Sequence, residues 1–99
     1  ARATHFREGG RMARTCKHFK RLEVPAEPTS DVCDQCVAIG DTWVHLRWCL
    51  ECGKVRCCDD SKNTHARKHF EEHGHPLIQS KEPGETWRFC YQHQVVMAR

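Results

Sequence analysis

The sequence predicts a small α+β domain stabilised by bound metal, with a short twisted antiparallel sheet and one main helix. Its 99 residues suffice for one domain, and the 38% apolar fraction includes eight cysteines, so the hydrophobic core is small. A chain of this size needs disulfides or metal to hold it together. Cysteines and histidines in clusters supply the metal ligands, and strand-like segments flank one helical segment.

Five short clusters of cysteine and histidine have spacings that are typical of zinc ligands. Twelve such residues are enough for three sites with four protein ligands each. Zinc in a site of this kind is structural, whereas catalytic zinc keeps one position for water. We therefore expect three zinc ions, no catalytic residues and no enzyme activity. The clusters are Cys16-x-His18, Cys33-x-x-Cys36, Cys49-x-x-Cys52 followed by Cys57, His65-x3-His69-x5-His75, and Cys90-x-x-His93.

A disulfide framework is the alternative use of eight cysteines. The N-terminal stretch is polar and basic, without the apolar segment of a signal peptide. A disulfide framework would also have no use for eight histidines. These features favour zinc and a reducing, cytoplasmic compartment. The apolar runs are far shorter than the ~20 residues of a membrane helix, so we expect a soluble protein that does not bind membranes.

The first elements in chain order are a tail and a connector. Residues 1–14 show no hydrophobic period and no ligand cluster, so we interpret them as a disordered basic tail. The domain then spans residues 15–96. Within it, Pro25 and Pro28 prevent regular structure in the connector Leu22–Ser30.

A strand and a zinc knuckle follow the connector. Large and β-branched side chains predict a strand over Asp41–Trp48. This strand leads into Cys49–Gly53, where glycine lets the backbone turn so that its N–H groups point at the cysteine sulfurs. Val55–Cys57 is then a short return strand.

Residues 64–73 form the predicted main helix, since most of them are good helix formers. Ser61 or Asn63 is the expected N-cap, and Gly74 with Pro76 ends the helix. The histidines of this segment recur every four residues and therefore share one face. The remaining predicted elements are a strand at Pro76–Ile78, a turn at Glu82–Glu85 and a strand at Thr86–Tyr91.

The order of the clusters resembles the UBP-type zinc finger, the ubiquitin-tail-binding module of deubiquitinases and of a cytoplasmic histone deacetylase. The resemblance runs from Cys16 to His93, most of the chain. It is carried by the segments WCLECGKVRC (48–57), HAxxH (65–69) and GHPL (74–77), and by the closing pair CYQH (90–93), which has histidine in place of the more usual second cysteine. It implies a stand-alone member of the family with three zinc ions.

The resemblance also implies how the ligands divide among three interleaved sites. One joins Cys16 and His18 to Cys90 and His93; a second uses Cys33, Cys36, Cys57 and His65; a third uses Cys49, Cys52, His69 and His75. Spacing alone does not decide between Cys57 and Cys58 or between His73 and His75. The family spacing favours Cys57 and His75, which leaves Cys58 a small thiol and His45 a surface or packing residue.

Finally, the resemblance implies a pocket for a free C-terminal Gly-Gly. In the family, an arginine two positions after the equivalent of Cys57 holds the carboxylate, because a guanidinium binds a carboxylate with two hydrogen bonds. That position is Asp59 here, and its charge would repel a carboxylate. Ubiquitin-tail binding is therefore in question, with Arg47 or Arg56 as substitute cations. The candidate peptide-binding residues are Arg47, Trp48, Arg56, Phe89 and Tyr91.

We expect a monomeric protein- or peptide-recognition module, with a protein C-terminus as one partner class. The alternative is a nucleic-acid-binding zinc protein that uses the basic N-terminal arm. The net charge is only +3, and the charges of seven thiolates and three zinc ions nearly cancel. Acidic residues are interspersed among the basic ones over residues 47–90, so no clean basic face is evident. We therefore do not expect nucleic acid as the partner.

Overall fold

A computed structural model describes residues 11–12 and 16–97 of the chain. These residues form an α+β domain with one six-stranded sheet and three helices, which confirms the predicted fold class. None of their helices is long and apolar enough to cross a membrane. The elements in chain order are β1 (Arg11–Met12), α1 (Lys17–Arg21), α2 (Asp34–Ala38), β2 (Leu46–Cys49), β3 (Val55–Cys57), α3 (His65–His73), β4 (Leu77–Ser80), β5 (Arg88–Cys90) and β6 (Val95–Met97).

The strands lie in the order β1-β6-β5-β4-β2-β3. The five strands from β6 to β3 pair antiparallel, as predicted, and β1 adds a parallel strand at the β6 edge. Arg11 and Met12, which belong to the predicted tail, thus pair with β6. The rest of that tail lies outside the described residues, so its disorder and the domain boundaries stay predictions.

The hydrophobic core is divided into three small clusters. Under α3, the largest side chains are those of Trp87, Phe89 and Tyr91, which pack with Ile78 and Val96 of the sheet. A second cluster contains Phe19 of α1 together with Cys90, and a third consists of Cys33, Cys36, Cys57 and two aliphatic residues. Since cysteines belong to two of the three clusters, apolar packing and the ligand groups share the same interior.

The main helix begins one residue later than predicted, and its predicted cap is wrong. Thr64 is the N-cap, with a left-handed φ of 47° and no hydrogen bond from its side chain. Ser61 instead accepts a hydrogen bond from the Val44 N–H, and Asn63 donates one to Asp41. The His65 N–H at the start of α3 donates to Cys57 Sγ at 3.1 Å. A sulfur acceptor therefore takes the place of a capping hydroxyl.

The other differences concern short elements. β2 begins at Leu46, five residues after the predicted start, because the Val44 N–H bonds a side chain and not a neighbouring strand. Two five-residue helices, α1 and α2, and the strand β6 are additional to the predicted elements. Both helices directly follow a cysteine, Cys16 or Cys33, so the ligand clusters coincide with local helical turns.

Candidate metal centres

The twelve predicted ligand residues gather into three groups of four, and the ligand atoms of each group lie within 4.8 Å of one another. None of the eight cysteines forms a disulfide. The division into groups is the one that the resemblance implies. Site 1 contains Cys16, His18, Cys90 and His93; site 2 contains Cys33, Cys36, Cys57 and His65; site 3 contains Cys49, Cys52, His69 and His75.

Site 1 connects the N-terminal part of the described chain to its C-terminal part. Cys16 precedes α1 and His18 lies in it, while Cys90 ends β5 and His93 lies in the turn before β6. His18 Nδ1 is 3.3 Å from Cys90 Sγ, and His93 Nδ1 is 3.6 Å from the same sulfur. The two imidazole rings are 4.7 Å apart between their centres. Four side chains from both ends of the domain thus converge on one point.

Site 2 is the most enclosed of the three, because all four of its residues are buried. Cys33 and Cys36 come from the first turn of α2, and Cys57 comes from the end of β3. His65 Nδ1 lies 3.3, 3.4 and 3.5 Å from the sulfurs of Cys33, Cys36 and Cys57 respectively. The Cys36 N–H also donates to Cys33 Sγ at 3.4 Å. One nitrogen therefore faces three sulfurs at nearly equal distances.

Site 3 joins the predicted knuckle to α3. Cys52 Sγ is 3.4 Å from His69 Nε2, and Cys49 Sγ is 3.6 Å from His75 Nδ1. The Glu51 N–H points at Cys49 Sγ at 3.4 Å, as expected for a knuckle. The His73 side chain is 55% exposed, lies 3.9 Å from Glu72 and is outside the group. The geometry thus selects His75 over His73, and at site 2 it selects Cys57 over Cys58.

Gly53 fixes the shape of the knuckle. Its φ is +82°, and a Cβ at this position would lie 2.3 Å from the Glu27 carbonyl oxygen. The Gly53 carbonyl accepts hydrogen bonds from both the N–H and the hydroxyl of Thr29, at 2.9 and 3.1 Å. Glycine is needed here for its backbone conformation and for the close approach of the connector. The connector is therefore anchored to the back of site 3.

The distances fit zinc. With Zn–S near 2.3 Å and Zn–N near 2.0–2.1 Å, tetrahedral coordination separates sulfur and nitrogen by about 3.6 Å. The sulfur–nitrogen contacts across the three sites range from 3.3 to 3.6 Å. Each site also offers a mixture of thiol and imidazole, the donors that zinc prefers. The three groups are therefore able to hold metal ions and are consistent with zinc.

Burial sets the protonation of the ligands. It raises the pKa of Cys49 and Cys57 to about 12 and that of Cys90 to about 11. It also lowers the pKa of His69 to about 4. These interiors therefore favour neutral imidazoles, which can coordinate, and they disfavour thiolates unless a cation offsets the negative charge. A divalent metal in each site supplies that charge.

The five candidate peptide-binding residues do not form one exposed surface. Arg47, Phe89 and Tyr91 are buried, and the Arg47 guanidinium lies over the Trp87 ring. Trp48 lies on the opposite face of the sheet, where its indole N–H donates to the Ala26 carbonyl at 3.0 Å. The Arg56 guanidinium pairs with Asp34. Their assignment to peptide binding stays a prediction.

Asp59, where the resemblance implies a carboxylate-binding arginine, is paired within the chain. Arg67 of α3 donates to Asp59 Oδ2 from Nε at 3.0 Å and from Nη2 at 2.5 Å. The same guanidinium lies 4.8 Å from the centre of the Tyr91 ring. A guanidinium therefore does reach this region, from the helix and not from position 59. Sequence reasoning missed Arg67 because its link to Asp59 depends on how α3 packs.

A fourth, smaller group was also missed. His45, Cys58 and Asp60 have ligand atoms within 4.8 Å of one another. Its only signals in the sequence are weak: Cys58 directly follows a ligand cysteine, and His45 lies thirteen residues before Cys58.

Comparisons with known proteins agree with this geometry. Residues 33–98 match the zf-UBP family model, described as "Zn-finger in ubiquitin-hydrolases and other protein". The chain is similar to the solution NMR structure of protein RPA1320 from Rhodopseudomonas palustris, with 41% sequence identity and a TM-score of 0.79. That similarity covers 88% of this chain and 84% of the other. The family model begins after Cys16 and His18, and the structure brings these two residues beside the closing pair.

Proposed function

Because the chain belongs to the zf-UBP family of zinc fingers, we propose that it is a zinc-stabilised module that recognises a protein partner without gripping a free C-terminal carboxylate. The twelve ligand residues hold three structural zinc ions in this proposal. The observation that carries it is the Asp59–Arg67 pair, because the resemblance implies a carboxylate-binding arginine at position 59 and the acid found there already holds Arg67.

The metal sites support a binding role over a catalytic one. Each of sites 1 to 3 offers four protein ligands, which fills a tetrahedral zinc and leaves no position for water or substrate. Zinc then serves to fix the scaffold, and recognition falls to the surface around it.

A peptide carboxylate would have to displace Asp59 from Arg67. Asp59 is only 13% exposed at its side chain and is tethered eight residues from its partner, so it competes at a high effective concentration. Displacement would also leave a mostly buried carboxylate without its cation, which is costly. In addition, Phe89 and Tyr91 are packed in the core and leave no open walls for two glycines.

The surface around α2 offers apolar side chains instead. Val37 and Ile39 are 57% and 62% exposed, and Val32 lies just before the helix. Contiguous exposed apolar groups mark protein-interaction sites, and these three side chains come from one short segment, residues 32–39. Because Cys33 and Cys36 fix this helix to site 2, these side chains project from a rigid support. An apolar segment of a protein partner is the ligand that this surface would accept.

The first experiment titrates the ¹⁵N-labelled, zinc-loaded chain with a peptide ending in a free Gly-Gly and with its amidated twin. We expect no shifts that depend on the free carboxylate. Shifts near Asp59, Phe89 and Tyr91 with the free acid alone would overturn the proposal in favour of a ubiquitin-tail reader. Salt-dependent binding of mixed-sequence RNA or DNA would overturn it in favour of the nucleic-acid alternative.

The proposal that the α2 surface binds a protein is tested with a partner that is first recovered by cross-linking and then titrated in pure form. Its binding should shift amides around α2, and Ile39→Asp should abolish it. Val24→Asp is the matched control, because Val24 is also an exposed β-branched apolar residue but lies in the connector, away from α2 in the sequence. A partner that binds the Ile39→Asp variant as well as the unaltered chain would rule out this surface.

A further inference from the structure

The His45–Cys58–Asp60 group lies outside the three four-residue sites and plays no part in the proposed recognition. It combines one thiol, one imidazole and one carboxylate, with ligand atoms within 4.8 Å of one another. Cys58 is fully buried, whereas His45 and Asp60 are half-buried. The group therefore has a buried sulfur at its base and two more accessible ligands toward solvent.

Strand pairing and a turn bring the three residues together. Leu46 pairs with Cys57 across β2 and β3, so the residues just outside this pair, His45 and Cys58, are neighbours. The Cys58 N–H donates to the His45 carbonyl at 3.0 Å. A turn closed by a hydrogen bond from the Ser61 N–H to the Cys58 carbonyl then carries Asp60 back toward the sulfur.

Ser61 helps to position the sulfur of Cys58. Cys58 Sγ is 3.9 Å from His45 Nδ1 and 3.6 Å from Ser61 Oγ. The Ser61 hydroxyl oxygen accepts a hydrogen bond from the Val44 N–H at 2.8 Å, which fixes its position. An outer contact of this kind orients a ligand residue before the metal arrives.

The arrangement does not suit a catalytic cysteine. In a nucleophilic triad, the thiol and the carboxylate lie on opposite sides of the imidazole, and the thiol is open to substrate. Here the sulfur and the carboxylate oxygen lie within 4.8 Å of each other, and Cys58 is 0% exposed. The three groups converge on one point, as metal ligands do.

We propose that His45, Cys58 and Asp60 bind a fourth divalent transition-metal ion, such as zinc or cobalt, with three protein ligands and one position open to solvent. Mixed thiolate, imidazole and carboxylate ligands suit these metals. The sulfur–nitrogen distance of 3.9 Å exceeds the 3.3 to 3.6 Å of sites 1 to 3. With fewer ligands and a looser geometry, this ion exchanges faster than the three enclosed ones.

The test uses the full chain loaded with three zinc ions, with excess metal removed, to which Co²⁺ is added. Thiolate bound to Co²⁺ absorbs in the near ultraviolet, which reports the metal independently of any activity. The unaltered chain should take up one Co²⁺ with this absorption. Cys58→Ser and His45→Ala should lose it while keeping three zinc ions and an unchanged circular dichroism spectrum. Asp60→Asn should weaken Co²⁺ binding by about tenfold or more.

His73→Ala is the matched control, because His73 is half-exposed and outside all four groups, and it should bind Co²⁺ normally. The proposal is overturned if the unaltered chain shows no thiolate–cobalt absorption. It is also overturned if the absorption survives in Cys58→Ser, because Co²⁺ would then have entered sites 1 to 3. If Cys58→Ser does not fold, Cys58→Ala and His45→Ala decide the question by the same measurement.

Discussion

Asp59 and Arg67 form an ion pair that links the turn after β3 to α3, with two hydrogen bonds from the guanidinium to a single carboxylate oxygen. The other oxygen, Oδ1, is buried and has no hydrogen-bond partner among the described residues. Since the guanidinium also lies against the Tyr91 ring, the pair closes one side of the aromatic cluster under α3. Asp59 therefore has a structural role, the pairing with Arg67, and does more than replace the arginine that the resemblance implies at this position.

Removal of the Asp59 carboxylate should create a carboxylate-binding site. In Asp59→Ala, a peptide carboxylate could take the place of the side-chain acid at Arg67. A charge-assisted hydrogen bond contributes about 1.5–3 kcal/mol, so affinity for a free Gly-Gly peptide should rise at least about tenfold over the unaltered chain. Calorimetric titration with the free and amidated peptides measures this gain.

The double variant Asp59→Ala/Arg67→Ala is the control for that gain and should bind the free peptide no better than the unaltered chain. If Asp59→Ala shows no preference for the free acid, Arg67 is not available to an external carboxylate and the region is closed by packing alone.

Removal of metal should unfold the domain. The apolar clusters are small and two of them contain ligand cysteines, so little remains to hold the sheet together without metal. In small zinc peptides each structural zinc contributes on the order of 10 kcal/mol to folding. A strong chelator should therefore abolish the near-ultraviolet circular dichroism, and added Zn²⁺ should restore it whereas Mg²⁺ should not. A chelated chain that kept its cooperative thermal transition would contradict this expectation.

Two histidines one turn apart on α3 should differ sharply in their importance. His69→Ala removes a ligand of site 3 and should lose one zinc ion per chain and much of the folded structure, as should Cys52→Ser. His73→Ala, on the same helix, should keep three zinc ions and the original stability. Native mass spectrometry and thermal melts compare the variants. Loss of zinc from His73→Ala together with its retention in His75→Ala would show that the ligands of site 3 are wrongly assigned.

Gly53→Ala should be more destabilising than Gly84→Ala. Both glycines have a positive φ, +82° and +79°, so both variants incur backbone strain of about 1–2 kcal/mol. Only at Gly53 would the new methyl group also meet a backbone oxygen, that of Glu27. Urea unfolding should show an extra loss for Gly53→Ala of about 1–3 kcal/mol. Equal losses would mean that the connector moves aside at little cost.

The sequence was most informative where function depends on spacing. The ligand clusters and the main helix follow local patterns, and the structure places the twelve residues in three groups able to hold metal. The assignment of these residues to particular sites required the family resemblance, because Cys57 and Cys58 are adjacent in the sequence. Burial does not separate the two cysteines either, since both are fully buried. Spacing cannot tell which of the two sulfurs points at His65.

What the sequence could not reveal depends on contacts between distant segments. The start of α3 uses the Cys57 sulfur as an acceptor, so the local pattern, which favours Ser61 or Asn63 as the N-cap, predicts the wrong residue. The charge of Arg47 makes it a candidate peptide-binding residue, and no local pattern shows that its side chain is buried against Trp87. The His45–Cys58–Asp60 group depends on the register of β2 and β3, which no local pattern encodes.

Because the three sites are interleaved along the sequence, each site becomes complete at a different stage of synthesis on the ribosome. Site 2 lacks a ligand until His65 has been made, site 3 until His75, and site 1 until His93. His18 thus waits 72 residues for Cys90, its partner in site 1. Domains generally fold as they emerge, but here the early cysteines leave the exit tunnel as unligated thiols, open to oxidation and to competing metals. The nascent chain is therefore most vulnerable just before His65 is made, when six ligand cysteines are present and none of the three sites is complete.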